Sequence, residues 1–173
     1  MKIAHRKVVP FKQGHSMWDG FVNAFSGFGG IAHSELVFDN GESFTSSSRF
    51  DPLDAIYPNP VFCRAVGRTS GPVIRCIEMP DHLWKFTELP LVTDEQKLHC
   101  YRWAKQTIDQ SIKDNAGYDW RGVMRFVFKC IKQHPEDWFC TESVVANLQE
   151  NAGMFQGLDA WSLSPNKLYK LCR

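Results

Sequence analysis

The sequence predicts an α+β fold, an antiparallel sheet of about five or six strands packed against helices. Two observations predict it: strand-length β-branched runs punctuated by Gly and Pro fill the first half, and 3.6-residue apolar periodicity with capping signals fills the second. A third observation, the lack of any repeat, low-complexity tract or polar linker, predicts that residues 1–173 form one domain.

Taken in order, residues 2–9 alternate and stop at Pro10, which reads as a strand. Residues 18–25 read as a short amphipathic helix, broken by Gly27, Gly29 and Gly30. Residues 31–38 and 42–46 flank Asn40-Gly41, a pair that favours the positive φ values of a type I′ turn, so they form a hairpin. Residues 61–66 and 73–79 are the next strands, marked off by Pro60 and Gly71-Pro72, and residues 84–89 add another. From Thr93 the period becomes helical. Leu98, Tyr101, Ala104, Ile108 and Ile112 share one face, Thr93 and Gln96 have capping-box spacing, and Gly117 ends the helix. Residues 119–132 carry Val123, Phe126, Val127 and Cys130 at helical spacing, and residues 140–151 carry Val144, Val145 and Leu148 before Gly153. Ser164-Pro165 opens a short last helix with Pro at its first position.

Composition excludes several roles. Twenty Lys+Arg against nineteen Asp+Glu leave a net charge of +1, so no strong field draws the chain to nucleic acid. The 43% hydrophobic and 13% aromatic content is that of a globular domain, not a disordered one. No stretch approaches the roughly 18 apolar residues that span a bilayer. Residues 20–32 make a poor signal peptide, because Asn23 and Ser26 interrupt them. The six cysteines, at 63, 76, 100, 130, 140 and 172, form no Cys-x-x-Cys pair and fit no zinc site, and no other cofactor is implied. Reduced thiols and cytoplasmic synthesis are the expectation, with virion association or delivery to the cell wall without a signal peptide left open.

One cysteine stands apart. In Phe139-Cys140-Thr141-Glu142-Ser143 it opens a predicted helix, where free N–H groups and the helix dipole favour a thiolate, so Cys140 is the candidate nucleophile. A thiolate needs a base, and His33 lies in the middle of an apolar strand. Strand alternation puts Glu35 on the same face, positioned to orient the imidazole, although side chains two residues apart on a strand are roughly 7 Å apart at their roots. Glu142, two residues into the Cys140 helix, reads as a helix-stabilising carboxylate. His15, His82, His99 and His134 lack ligand spacing and read as surface or capping residues. Trp18, Phe21, Phe25, Phe28, Trp120, Trp138 and Trp161 read mostly as core.

The run His33-Ser34-Glu35-Leu36-Val37-Phe38 with Gly41 after it, and Phe139-Cys140-Thr141-Glu142-Ser143-Val144 later, resembles the circularly permuted NlpC-like cysteine peptidases of the papain-fold superfamily. Tyr118-Asp119-Trp120-Arg121-Gly122 and Ser164-Pro165 match further short motifs, so the resemblance spans residues 2–169. It implies a permuted papain-like fold in which the histidine strand precedes the cysteine helix. It also implies a thiol hydrolase with Cys140 as nucleophile, His33 as general base and Glu35 as third residue, with Thr45, Ser47 and Ser48 as alternatives for that third role. The backbone N–H of Cys140 is then the first oxyanion donor. The implied partner is a peptide, peptidoglycan or isopeptide-type amide. Two other outcomes fit the same residues: an acyltransferase or thioesterase on the same dyad, or an inactive virion or binding protein of the same fold.

Overall fold

A computed structural model describes residues 1–8, 30–47, 66–67, 70–126 and 137–173. Within them the chain is α+β. The strands are β1 (Lys2–Lys7), β2 (Ile31–Val37), β3 (Ser43–Ser47), β4 (Val66–Gly67), β5 (Gly71–Arg75) and β6 (Trp84–Glu88). They form one sheet in the order β4-β5-β3-β2-β1-β6, antiparallel at every junction. The helices are α1 (Asp94–Lys113), α2 (Trp120–Arg125), α3 (Cys140–Ala152) and α4 (Pro165–Leu171), with a 3₁₀ turn at Ala160–Ser162. The predicted helix at 18–25, most of the strand at 61–66 and the predicted helix beyond residue 126 lie outside the described residues.

Register builds the core. Ile3 sits opposite Leu36, Leu36 opposite Phe44, and Phe44 opposite Ile74, so four apolar side chains form one row across four strands. Against that row pack Cys100, Ala104 and Ile108 of α1, Val144, Val145 and Leu148 of α3, and Leu168 of α4, all buried. Burying each large side chain contributes about 1.5–3 kcal/mol, which decides the side of the sheet that the helices cover. Phe44 also meets the Trp103 ring edge-on at 5.9 Å.

Helix ends follow the sequence signals. Thr93 Oγ1 accepts the Gln96 N–H at 3.2 Å while Gln96 Oε1 accepts the Thr93 N–H at 2.9 Å, a complete capping box. Ser164 caps α4 by accepting the Lys167 N–H, with Pro165 next in the chain.

Several expectations are corrected. In the β2–β3 connection only Gly41 has positive φ, at 84°, and its N–H closes a turn onto Phe38 O at 3.1 Å. The connection is therefore a turn followed by a left-handed glycine, the G1-bulge pattern, and not type I′, which needs positive φ at both central residues. β5 covers 71–75 and not 73–79, because its partner β3 supplies pairing only as far as Ser43, opposite Arg75. On α1, Leu98 and Ile112 are exposed while Cys100 and Ser111 are buried. The helix is rotated because small residues let α3 approach closely, and Asn147 Nδ2 donates to Cys100 O at 2.9 Å. That helix ends at Asp114, with Asn115 left-handed at φ 55°, so Gly117 is free for another role. Cys76 is disulfide-bonded, against the expectation of reduced thiols throughout. A bond of this kind restricts the unfolded chain, a contribution that the spacing of the cysteines does not reveal.

Candidate active site

The segment before α3 is fixed from two sides. Tyr118 and Trp138 form a parallel bridge: Asp119 N–H donates to Trp138 O at 3.0 Å and Gly117 N–H donates to Asp137 Oδ1 at 2.6 Å. From the sheet, Ser46 Oγ donates to the same Trp138 O at 2.6 Å. Asp119 caps α2 by accepting the Gly122 N–H at 2.8 Å. A Cβ on Gly122 would lie 2.3 Å from Asp119 Oδ2 and 3.0 Å from the Phe139 ring, so only glycine lets the cap and that ring coexist. Phe139 is thereby buried in extended conformation as the residue before α3, and Cys140 becomes its first helical residue.

β2 supplies the partner. His33 and Glu35 are both buried on the face of the sheet opposite the apolar row, and the ring edge of Trp84 packs against His33 at 6.5 Å. His33 Nε2 lies 3.1 Å from Glu35 Oε1 and 3.3 Å from Thr45 Oγ1. Thr45 gives its own hydroxyl proton to Ser34 O at 2.9 Å, so its oxygen accepts from the ring. Two of the sequence's options for the third residue therefore meet the same nitrogen. Ser47 is buried on β3, and Ser48 lies outside the described residues.

His33 also acts on the Cys140 thiol, by its charge and by hydrogen bonding. Its Nε2 is the nitrogen engaged by Glu35 and Thr45. Burial pushes the Cys140 thiol up, but the charge and hydrogen bond of His33, the Ser34 backbone N–H and the Thr141 hydroxyl outweigh it and hold it below an ordinary thiol. Cys100 and Cys172 have no such partners, and burial pushes both up to about 11. The three predicted residues, Cys140, His33 and Glu35, are thus brought together from one helix start and one strand.

Glu35 has no exposure at all, and burial raises its carboxyl. The Arg75 charge, His33 and the Arg75 hydrogen bond more than reverse this and hold it at about 2. Arg75 Nη2 donates to Oε1 at 2.5 Å and Ser43 Oγ to Oε2 at 2.5 Å. Arg75 is a site residue that the sequence reading missed, because the 73–79 run looked like a purely apolar strand. The usable signal was an arginine within that run, since a charge in a buried strand requires a partner. His5, also missed, is a buried imidazole with Nδ1 at 3.2 Å from Ser34 Oγ, lowered to about 4 by burial.

Glu142 accepts the Phe139 N–H at 3.4 Å, as expected of a helix-start carboxylate. It is not a charged one at neutral pH: burial pushes it up to about 8, with Asp119 and Cys140 adding repulsion. His82 and His99 are exposed, and Trp138 and Trp161 are half-buried. His15, His134, Trp18, Phe21, Phe25 and Phe28 lie outside the described residues, as does the side chain of Trp120. No helix among the described residues is long and apolar enough to cross a membrane. No family model matches the chain, and comparison with curated proteins and with solved structures gives no match.

Proposed function

We propose that the protein is a cysteine hydrolase that cleaves an amide through a thioester at Cys140. The observation that carries this reading is a buried cysteine at a helix start, its thiol lowered by the charge and hydrogen bonding of His33, whose Nε2 lies 3.1 Å from Glu35 Oε1. His33 takes the thiol proton, and the thiolate attacks the carbonyl carbon. The negative oxygen of the tetrahedral intermediate meets the Cys140 N–H at the helix start. His33 then protonates the leaving amine, the C–N bond breaks, and the acyl group remains on sulfur. Water, deprotonated by the same imidazole, releases the acid and restores the thiol. The order of histidine strand before cysteine helix supports a permuted papain-like arrangement, and with it a peptide, peptidoglycan or isopeptide-type amide as substrate.

A second reading has its own support. Tyr118, Val123 and Phe139, with Phe126 and Trp161 partly buried beside them, place apolar surface around Cys140. That surface favours an apolar acyl group, and so a thioesterase or acyltransferase on the same dyad.

The test is the rate of Cys140 alkylation against pH, by peptide mapping, in the parent and in His33→Ala, with Cys100 as internal control. Fast labelling at about pH 6 that collapses in His33→Ala is expected, because the thiolate is the reacting form. Labelling no faster than Cys100 sinks the reading. Burst release from muropeptides or from long-chain acyl thioesters then separates the two substrate classes.

A further inference from the structure

We propose that Arg75 is a positioning residue of this site: from β5 it holds Glu35 as a carboxylate against His33, and through Glu35 it fixes the imidazole for the Cys140 thiol. The inference rests on the reading of Cys140 and His33 as a reactive pair.

Glu35 has no solvent, so its charge survives only with a compensating cation. Arg75 supplies it on Oε1, the same oxygen that faces His33 Nε2, at 2.5 Å against 3.1 Å. Ser43 lies between the two: its single hydroxyl proton is within reach of Glu35 Oε2 and of Arg75 O at 3.1 Å. The register explains how Arg75 arrives there. β5 pairs with β3 so that Arg75 stands opposite Ser43, and β3 pairs with β2 so that Ser43 stands opposite Val37, which puts Arg75 across β3 from Val37 and diagonal to Glu35, the next residue along β2 on the same face. The contacts then run in sequence from guanidinium to carboxylate to imidazole, and the imidazole acts on the thiol.

Without Arg75, Glu35 is a buried carboxylate left with the Ser43 hydroxyl and the His33 ring, without its strongest cation, and taking up a proton relieves it. A protonated Glu35 no longer supports an imidazolium on His33, and the thiolate loses its counter-charge. Other charged groups around these residues are Arg6 of β1, opposite His33 in the register, and Glu142 of α3, close enough to feel both Cys140 and Asp119. They are present in every variant below, so a change on altering Arg75 is not theirs.

The experiment is a pH titration of thiolate ultraviolet absorbance, corrected with Cys140→Ser, alongside the labelling rate. Arg75→Gln is expected to move the Cys140 midpoint up by about one unit or more, a tenfold loss of thiolate below it. Arg75→Lys, which keeps the charge, is expected to recover most of that. In a Glu35→Gln background, Arg75→Gln is expected to add no further shift. A merely structural arginine would lower the melting temperature and leave the midpoint in place. If Arg75→Gln does not fold, the graded shift in Arg75→Lys and the comparison of Glu35→Gln with Glu35→Gln/Arg75→Gln carry the test. A folded Arg75→Gln with an unmoved midpoint overturns the proposal, as does an equal shift with Glu35 already neutral. A parent Cys140 that titrates like an ordinary thiol overturns the proposal together with the reading of the site.

Discussion

The two faces of the sheet are held by different physics. On one, Ile3, Leu36, Phe44 and Ile74 pack against α1, α3 and α4, an arrangement that tolerates small shifts because apolar contact has no direction. On the other, His33, Glu35, Ser43, Thr45 and Arg75 are just as buried, but each depends on a hydrogen bond of specified direction. Adjacent residues of one strand serve both: Leu36 faces the helices and Glu35 the charge network. The contrast separates what stabilises the molecule from what sets its chemistry.

The largest effects should come from breaking either face. Glu35→Ala leaves Arg75 buried without its anion and should cost about 3–5 kcal/mol in urea unfolding, and Cys140 labelling should fall toward that of Cys100. Phe44→Ala should cost a similar amount, about 3–5 kcal/mol, yet leave native-state labelling of Cys140 within a few-fold of the parent. If Phe44→Ala silences the thiol as fully as Glu35→Ala under native conditions, the two faces are not separable.

A smaller effect depends on pH. Glu142 is raised from 4.5 to about 8 in the folded protein, so the folded state binds its proton more tightly, and stability falls as pH rises across that interval. His5 is lowered from 6.5 to about 4 and Glu35 from 4.5 to about 2, so both contributions are lost as pH falls through those intervals. Glu142→Gln isolates one side of this balance. Its stability relative to the parent should improve steadily between about pH 4.5 and 8, by a few kcal/mol in total, in denaturant melts at matched pH. A difference that stays flat with pH would show Glu142 to be an ordinary exposed carboxylate.

The smallest effect should lie outside both faces. Thr93→Ala removes the α1 cap and should cost about 1 kcal/mol without changing Cys140 labelling. A labelling change there would mean that α1 is coupled to the thiol.

Legibility in the sequence follows the same division. The β2–β3 hairpin, the Thr93 and Ser164 caps and the Cys140 helix start were readable because their signals lie within a few residues of one another. Cys140, His33 and Glu35 were readable as residue types placed at a helix start and along a strand face. Arg75 was not, because its meaning depends on β5 lying beside β3, a pairing that no local pattern encodes. The buried face of α1 was misplaced for a related reason: Leu98 fits the period, but the approach of α3 selects small Cys100 and Ala104. The turn type at Gly41 was misjudged because Asn-Gly permits two backbone solutions.

The lowered thiol at Cys140 depends on the imidazole of His33 and the amide of Ser34, both on a strand made early in synthesis, whereas the cysteine itself comes late. During translation the chain therefore carries an ordinary, protonated thiol. The lowered thiol comes into being only when the far-separated strand and helix meet, which makes folding itself the step that sets the state of this cysteine.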